Sequence, residues 1–480
     1  MWAGAKEAVE ESNNQELCNQ SVSPGHSARR HEQVGEQYQR QVRSLSSLSL
    51  LTVTVRSAST LEPETGPDRL LPAESYTSSN PANPVKLWMP DDEEDCDEED
   101  LRTPVSVVTL LTRAAEDAPD HTALCVKREG EWVKWTYERY LEDVRAVGKA
   151  FIKLGLKVGH GVGIIGFNSP EWFFSDLGCV FAGGLAAGIY PTNSAEACKY
   201  VLANCKANIV LVEDEKQLAK ILQVKDSLPE LKQIVQYTGK PSAPGVLSWE
   251  ELLDIGDGES DRLLEERISQ LAPNLCCHLV YTSGTTGPPK GVMLSHDNLT
   301  FTSKTLSEIY NLQDMEERFV SYLPLSHVAA NIMDIFMVIQ CLGTVYFANR
   351  DALKGTLVAT LKEAQPTIFF GVPRVWEKIR EKMVQIGKAN TGFKKAVGMW
   401  AKKTGLDYNK AKIGGKKSRS LSFKVGRIPS AEDFFDDEFA DRGQNGLQES
   451  EGRARLRSDS QLLQRCGAAE CGSSGLFHVA

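Results

Sequence analysis

A chain of 480 residues, 41% of them apolar, is long enough for two or three domains and a large core. Its net charge of −10 and pI near 5.5 argue against a nucleic-acid partner, which calls for a basic patch. Eleven cysteines without one C-x-x-C pair argue against a zinc site or a disulfide framework, and fit a reducing compartment.

Residues 1–100 are rich in Ser, Glu, Gln, Asn and Pro and lack periodicity, so they are expected to be disordered. Met1 to Gln20 is polar and reads as no signal peptide, and Leu45 to Val55 is too short and serine-interrupted to span a bilayer. Any membrane contact is therefore expected to be peripheral. The zone ends at Asp91–Asp100, where nine of ten residues are acidic. Without a turn glycine or spaced ligands, that run reads as a self-repelling linker and not a calcium site.

Residues 101–413 differ in kind. Thr136 can cap a helix that puts Tyr140, Leu141, Val144, Val147, Phe151 and Leu154 on one face. Val162–Phe167 reads as a buried strand, followed by a helical segment Glu171–Gly183 and the short strand Ala187–Tyr190. Ser194 can cap a helix running to Cys205, and Ile209–Val212 is the next strand. Cys277–Val280 and Val292–Leu294 flank a polar loop, and His296 starts a helix with Asp297 in its first turn. Thr344–Phe347 and Thr367–Phe370 enclose a helical stretch from Asp351 to Ala364. Alternating short apolar strands and amphipathic helices predict an α/β domain of layered, mostly parallel sheets. From Gly414 onward the chain turns Ser-, Arg- and acid-rich, and residues 414–480 read as a divergent, largely disordered tail.

The loop is the most informative stretch. Tyr281-Thr282-Ser283-Gly284-Thr285-Thr286-Gly287-Pro288-Pro289-Lys290-Gly291 offers hydroxyl donors, close backbone approach at its glycines, and one mobile point charge. It is not a Walker A element, because Lys290 stands between Pro289 and Gly291 and the chain continues into an apolar strand. The literal G-x-G-x-x-G at Gly161–Gly166 lies within a strand, so it is not a dinucleotide fingerprint.

Thr282–Lys290 resembles, almost letter for letter, the phosphate-binding loop of the adenylate-forming superfamily. Asn168–Trp172, Ile189–Asn193, Leu323–His327 and Gly371–Lys378 look like segments of its fatty acyl-CoA synthetases, and Tyr190–Ser194 most like the bubblegum-type long-chain members. The resemblance covers about residues 85–412 and implies an incomplete adenylate-forming N-terminal domain. It implies ATP and Mg2+ as cofactors and a long-chain fatty acid and CoA as substrates. It assigns Thr282, Ser283, Gly284, Thr285, Thr286, Gly287, Pro288, Pro289 and Lys290 to the ATP phosphates. His327 either lines the carboxylate site or is a helix-start histidine satisfied by the backbone. Arg374 and Trp376 read equally as pocket-side or structural; Phe173, Phe174, Gly183 and Gly184 read as acyl tunnel or ordinary core. The chain itself offers no metal ligand set.

The resemblance stops abruptly. The family's Tyr-Gly segment, which stacks adenine and brings a glutamate to magnesium, has no counterpart, since no Tyr-Gly pair occurs. A Thr-Gly-Asp segment for the ribose is also absent, and the last lysine is Lys424. The chain is therefore expected to be a truncated family member, with a non-catalytic binding form as the alternative. The expected location is cytoplasmic, with peripheral contact to the endoplasmic reticulum or other intracellular membranes and no nucleic-acid partner.

Overall fold

A computed structural model describes residues 66–87, 89, 103–282, 288–389, 391–413 and 476–478. The acidic run at 91–100, most of the segment expected to be disordered before it, and most of the tail lie outside the described residues.

Two β-sheets hold the helices between and around them. The first two helices and the hairpin between them are α1 (Val107–Asp117), β1 (Thr122–Arg128), β2 (Glu131–Thr136) and α2 (Tyr137–Lys153). A first parallel run follows: β3 (Gly161–Ile165), α3 (Pro170–Phe181), β4 (Leu185–Ile189), α4 (Ala195–Asn204), β5 (Ile209–Val212), α5 (Glu215–Val224), β6 (Gln233–Gln236) and β7 (Val246–Ser248). After α6 (Trp249–Asp257) and α7 (Arg262–Ile268) come the hairpin β8 (Cys276–Thr282) and β9 (Lys290–Ser295), then α8 (His296–Tyr310). These strands make a seven-stranded sheet of order β7-β6-β5-β3-β4-β8-β9, parallel except for the β8–β9 pair.

The second sheet adds β10 (Arg318–Ser321), β11 (Thr344–Phe347), β12 (Ile368–Phe370) and β13 (Leu476–His478), in the order β13-β12-β10-β11-β1-β2. Between β10 and β11 the chain forms α9 (Val328–Asn331), one π-helical turn over Ile332–Phe336, and α10 (Met337–Gln340). The chain ends its described helices with α11 (Leu357–Ala364), α12 (Pro373–Ala389) and α13 (Gly392–Ile413).

The expected α/β layering is present, and two differences have a local cause. The stretch Asp351–Ala364 is not one helix: Gly355 adopts φ +135°, open only to glycine, and separates a short 3-10 turn from α11. The tail also contributes an element, since Leu476–His478 pairs antiparallel with β12.

All twelve residues of α3 are buried, including Glu171, Ser175 and Asp176. That is the mark of a helix covered on every side. Its Phe173, Phe174 and Phe181 share one core with Val144, Val147 and Phe151 of α2 and with Val162 and Ile164 of β3. Phe319 and Val345 of the other sheet belong to the same core. Arg350, just past β11, bonds Glu213 at 2.9 Å and Asp214 at 2.6 Å beyond β5, joining the carboxyl ends of strands from both sheets.

Candidate active-site cleft

Parallel strands send their carboxyl ends to one edge, where the connecting loops can converge. β4 lies between β3 and β8 there. Past its end the chain turns through Tyr190-Pro191-Thr192-Asn193, closed by the Asn193 N–H donating to the Tyr190 carbonyl at 2.9 Å. Lys220 fastens this turn, its ammonium donating to the carbonyls of Pro191 (2.6 Å) and Asn193 (2.9 Å). Ser194 then caps α4, its hydroxyl accepting from the Ala197 N–H at 3.3 Å.

At the end of β8, Thr282 pairs across the hairpin with Lys290, the first residue of β9. The ladder therefore clamps both ends of the polar loop. Ser283, Gly284, Thr285, Thr286 and Gly287 lie outside the described residues. Gly291 packs closely on the Tyr281 ring, to which a Cβ there would lie 3.2 Å away. The Tyr281 hydroxyl in turn donates to Asn204 at 2.8 Å, tying the hairpin to α4.

The third wall is the turn after β10. His327 is exposed and caps α9; its Nδ1 accepts from the Ala329 N–H at 3.2 Å. In the neutral ring that bond assigns the proton to Nε2, and among the described residues no hydrogen-bond partner of Nε2–H is found. The helix-start reading of His327 is thus correct, and the same residue also faces the cleft. Asn168 anchors this turn from the loop before α3, its amide donating to Ser321 Oγ and to the Leu323 carbonyl, both at 2.7 Å. Gly188 of β4 lets the turn come close, since a Cβ there would lie 2.8 Å from Ser326 Cα.

These walls enclose a cleft of about 420 Å3, lined by Gly188, Tyr190, Asn193, Thr282, Pro289 and His327 among others. Of the residues assigned to phosphate from the sequence, Thr282 and Pro289 line it. Lys290 is exposed at the hairpin end beside them, and Pro288 is exposed in the loop. A larger cleft of about 560 Å3 lies along β9 and residues 76–87, and it contains neither loop end nor His327.

Other sequence candidates sit elsewhere. Phe173 packs edge-on against Phe347 (4.9 Å) and Phe174 against Tyr140 and Trp249, so both are core. Gly183 and Gly184 precede β4, at the end of the strand opposite the cleft. Arg374 pairs on the surface with Glu377 at 2.8 Å, and Trp376 donates to the Gly371 carbonyl at 2.9 Å while packing on Phe369. His296 starts α8, fully buried, with Nδ1 accepting from the Val107 N–H at 3.2 Å; burial pushes its pKa down to about 3.

Sequence reading missed the buried pair His278–Asp176, Nε2 to carboxylate 2.8 Å, which ties β8 to α3. Its signal was an aspartate inside the run Trp172–Phe181, whose only other polar side chain is Ser175. It also missed Asp334 in the π-helical turn, fully buried and raised by that burial to about 7, with the hydrogen bond from Ser321 opposing.

A family model described as AMP-binding enzyme matches residues 111–422. The chain belongs to the AMP-binding enzyme family. This family member is 47% identical over 363 residues to the Xenopus laevis protein named long-chain-fatty-acid–CoA ligase ACSBG2, covering 73% of the chain and 49% of that relative. It is 46% identical over 311 residues to the Rattus norvegicus ligase ACSBG1, covering 64% and 43%. The chain thus spans about half the length of the curated relatives it matches. In fold it is similar to the anthranilate CoA ligase AuaEII in complex with anthranoyl-AMP, with TM-score 0.51, 24% identity, and coverage of 58% and 52%. It is also similar to the A domain of carboxylic acid reductase from Segniliparus rugosus, with TM-score 0.51, 18% identity, and coverage of 62% and 53%.

Proposed function

We propose that the cleft binds the phosphates of ATP against a long-chain fatty carboxylate, as the working site of a fatty acid–CoA ligase. The observation that carries this is the convergence of Thr282, Pro289, the Tyr190–Asn193 turn and His327 on one cleft at the strand ends. In the first step a carboxylate oxygen attacks the α-phosphorus, the bond to the bridging oxygen breaks, and pyrophosphate leaves. In the second the CoA thiol displaces AMP from the acyl carbon, giving the thioester and releasing the thiol proton. A fatty carboxylate is already ionised at neutral pH, so the first step needs no general base. The demand is for positive charge and donors around the leaving pyrophosphate. The ammonium of Lys290 and the hydroxyl of Thr282 are the described groups suited to that. His327 Nε2–H is a donor suited to a carboxylate or phosphoryl oxygen.

Among the described residues, no carboxylate lines the cleft and no group of three or more His, Cys, Asp or Glu side chains able to hold a metal occurs. The described residues therefore do not fit a protein-held Mg2+ here. With this reading goes a cytoplasmic location, peripheral to intracellular membranes, which cell fractionation tests.

A second reading is a binding form that does not complete adenylation. It is favoured by the described lining of the cleft, which offers threonine hydroxyls and a histidine but no carboxylate to hold a metal beside the phosphates. Palmitate-driven exchange of pyrophosphate into ATP separates the two. Exchange above that of the Lys290→Ala variant supports the ligase. No exchange, with thermal stabilisation by pyrophosphate retained, supports the binding form.

A further inference from the structure

The last two described helices carry charge of the opposite sign to the rest of the chain. Residues 373–413 hold eleven Lys and Arg against three Asp and Glu, in a protein of net charge −10. α12 starts on the core, where Val375 is buried, but Val375 is the only buried residue of that helix. Its apolar positions continue at helical spacing through Ile379, Met383 and Ile386, and Met383 is 47% exposed. Gly387 of α12 lies close to Lys402 of α13, a Cβ there being 3.7 Å from its Nζ. On α13, Met399, Trp400 and Leu406 are 60%, 51% and 52% exposed. Lys395, Lys402, Lys403 and Lys410 are exposed on the same helix.

Large apolar side chains set among lysines suit one kind of surface. A tryptophan ring is favoured at the level of lipid headgroups, Met and Leu can enter the acyl boundary, and lysine stems can lie along apolar surface with their ammonium groups outward. An anionic leaflet attracts each basic residue near it. A nucleic acid would match the charge but would leave Met399 and Leu406 in water. No helix among the described residues is long and apolar enough to cross a membrane, so the contact is interfacial.

We propose that α12 and α13 form a docking surface for an anionic lipid bilayer, entered by Met399, Trp400 and Leu406 and held by the surrounding lysines. It rests on the peripheral membrane contact of the proposed function and gives it a surface, but uses no step of the ligase reaction, so pyrophosphate exchange retained without vesicle binding separates the failure of one from the failure of the other.

The test is sedimentation of the full chain with phosphatidylcholine vesicles made with and without phosphatidylserine. Binding is expected only with phosphatidylserine and is expected to weaken as salt is raised. Met399→Ser/Trp400→Ser and Lys402→Glu/Lys403→Glu should each weaken it by roughly tenfold or more, while Lys216→Glu/Lys240→Glu, in α5 and in the segment between β6 and β7, should leave it nearly unchanged. Vesicles should also shift tryptophan emission to the blue in the wild type, and not in Trp400→Ser. Absence of vesicle binding, equal binding to neutral vesicles, or equal weakening by the control pair would overturn the proposal. Self-association that the α12–α13 variants abolish, without vesicle binding, would overturn the proposal and assign the surface to a second copy instead.

Discussion

Asn168 spends its amide on two acceptors of the turn that carries His327, and one of them is the buried Leu323 carbonyl. Replacing it with alanine leaves that carbonyl without its partner, which costs about 1–3 kcal/mol. Asn168→Ala is therefore expected to lower the urea midpoint and to blunt stabilisation by cleft ligands. An unchanged midpoint would show that the turn is held by other means. Asp334 gives a sign-defined pH effect. Burial raises its folded pKa to about 7, against about 4 in an unfolded chain, so the folded state holds an extra proton between those values. The stability contributed by this group thus falls as pH rises from about 4 to about 7 and is level above that. Asp334→Asn should match the wild type near pH 4 and exceed its stability at pH 8 by at least about 1 kcal/mol. A difference independent of pH would contradict the assignment.

At the scale of elements, close backbone approach explains several glycines that composition alone leaves unexplained. A Cβ at Gly256 of α6 would lie 2.0 Å from the Ala146 carbonyl oxygen of α2, so those helices pack only with glycine there. Gly256→Ala should cost at least about 1–3 kcal/mol, read as a lower melting temperature. Gly188→Ala pushes on the backbone of Ser326 and is expected to weaken ligand-induced stabilisation by displacing the His327 turn. The strands Ile209–Val212 and Thr344–Phe347 were legible to the residue, the first as an apolar run between Asn208 and Glu213, the second as a β-branched and aromatic run entered from Gly343. The β1–β2 hairpin was not, because Lys127, Arg128, Glu131 and Lys134 interrupt its apolar pattern and its turn rests on Glu129 and Gly130, both at positive φ. The His278–Asp176 pair was illegible for another reason: its partners lie 102 residues apart and meet only when β8 and α3 pack.

At the scale of the whole molecule, two sheets meet around fully buried α3, and the loops at their strand ends build the cleft. The reading of Thr282–Lys290 as a phosphate cradle rests on chemistry that is local in sequence. The loop's convergence with the Tyr190–Asn193 turn was not legible, since that depends on strand order, and His327 was placed at the pocket only by resemblance. The central claim is that this convergence binds phosphate. Calorimetric titration of the full chain with magnesium pyrophosphate tests it most directly. Saturable binding is predicted in the wild type, weakened roughly tenfold or more in Lys290→Ala through loss of charge-assisted contacts. No binding, or binding of equal strength in Lys290→Ala, would contradict it.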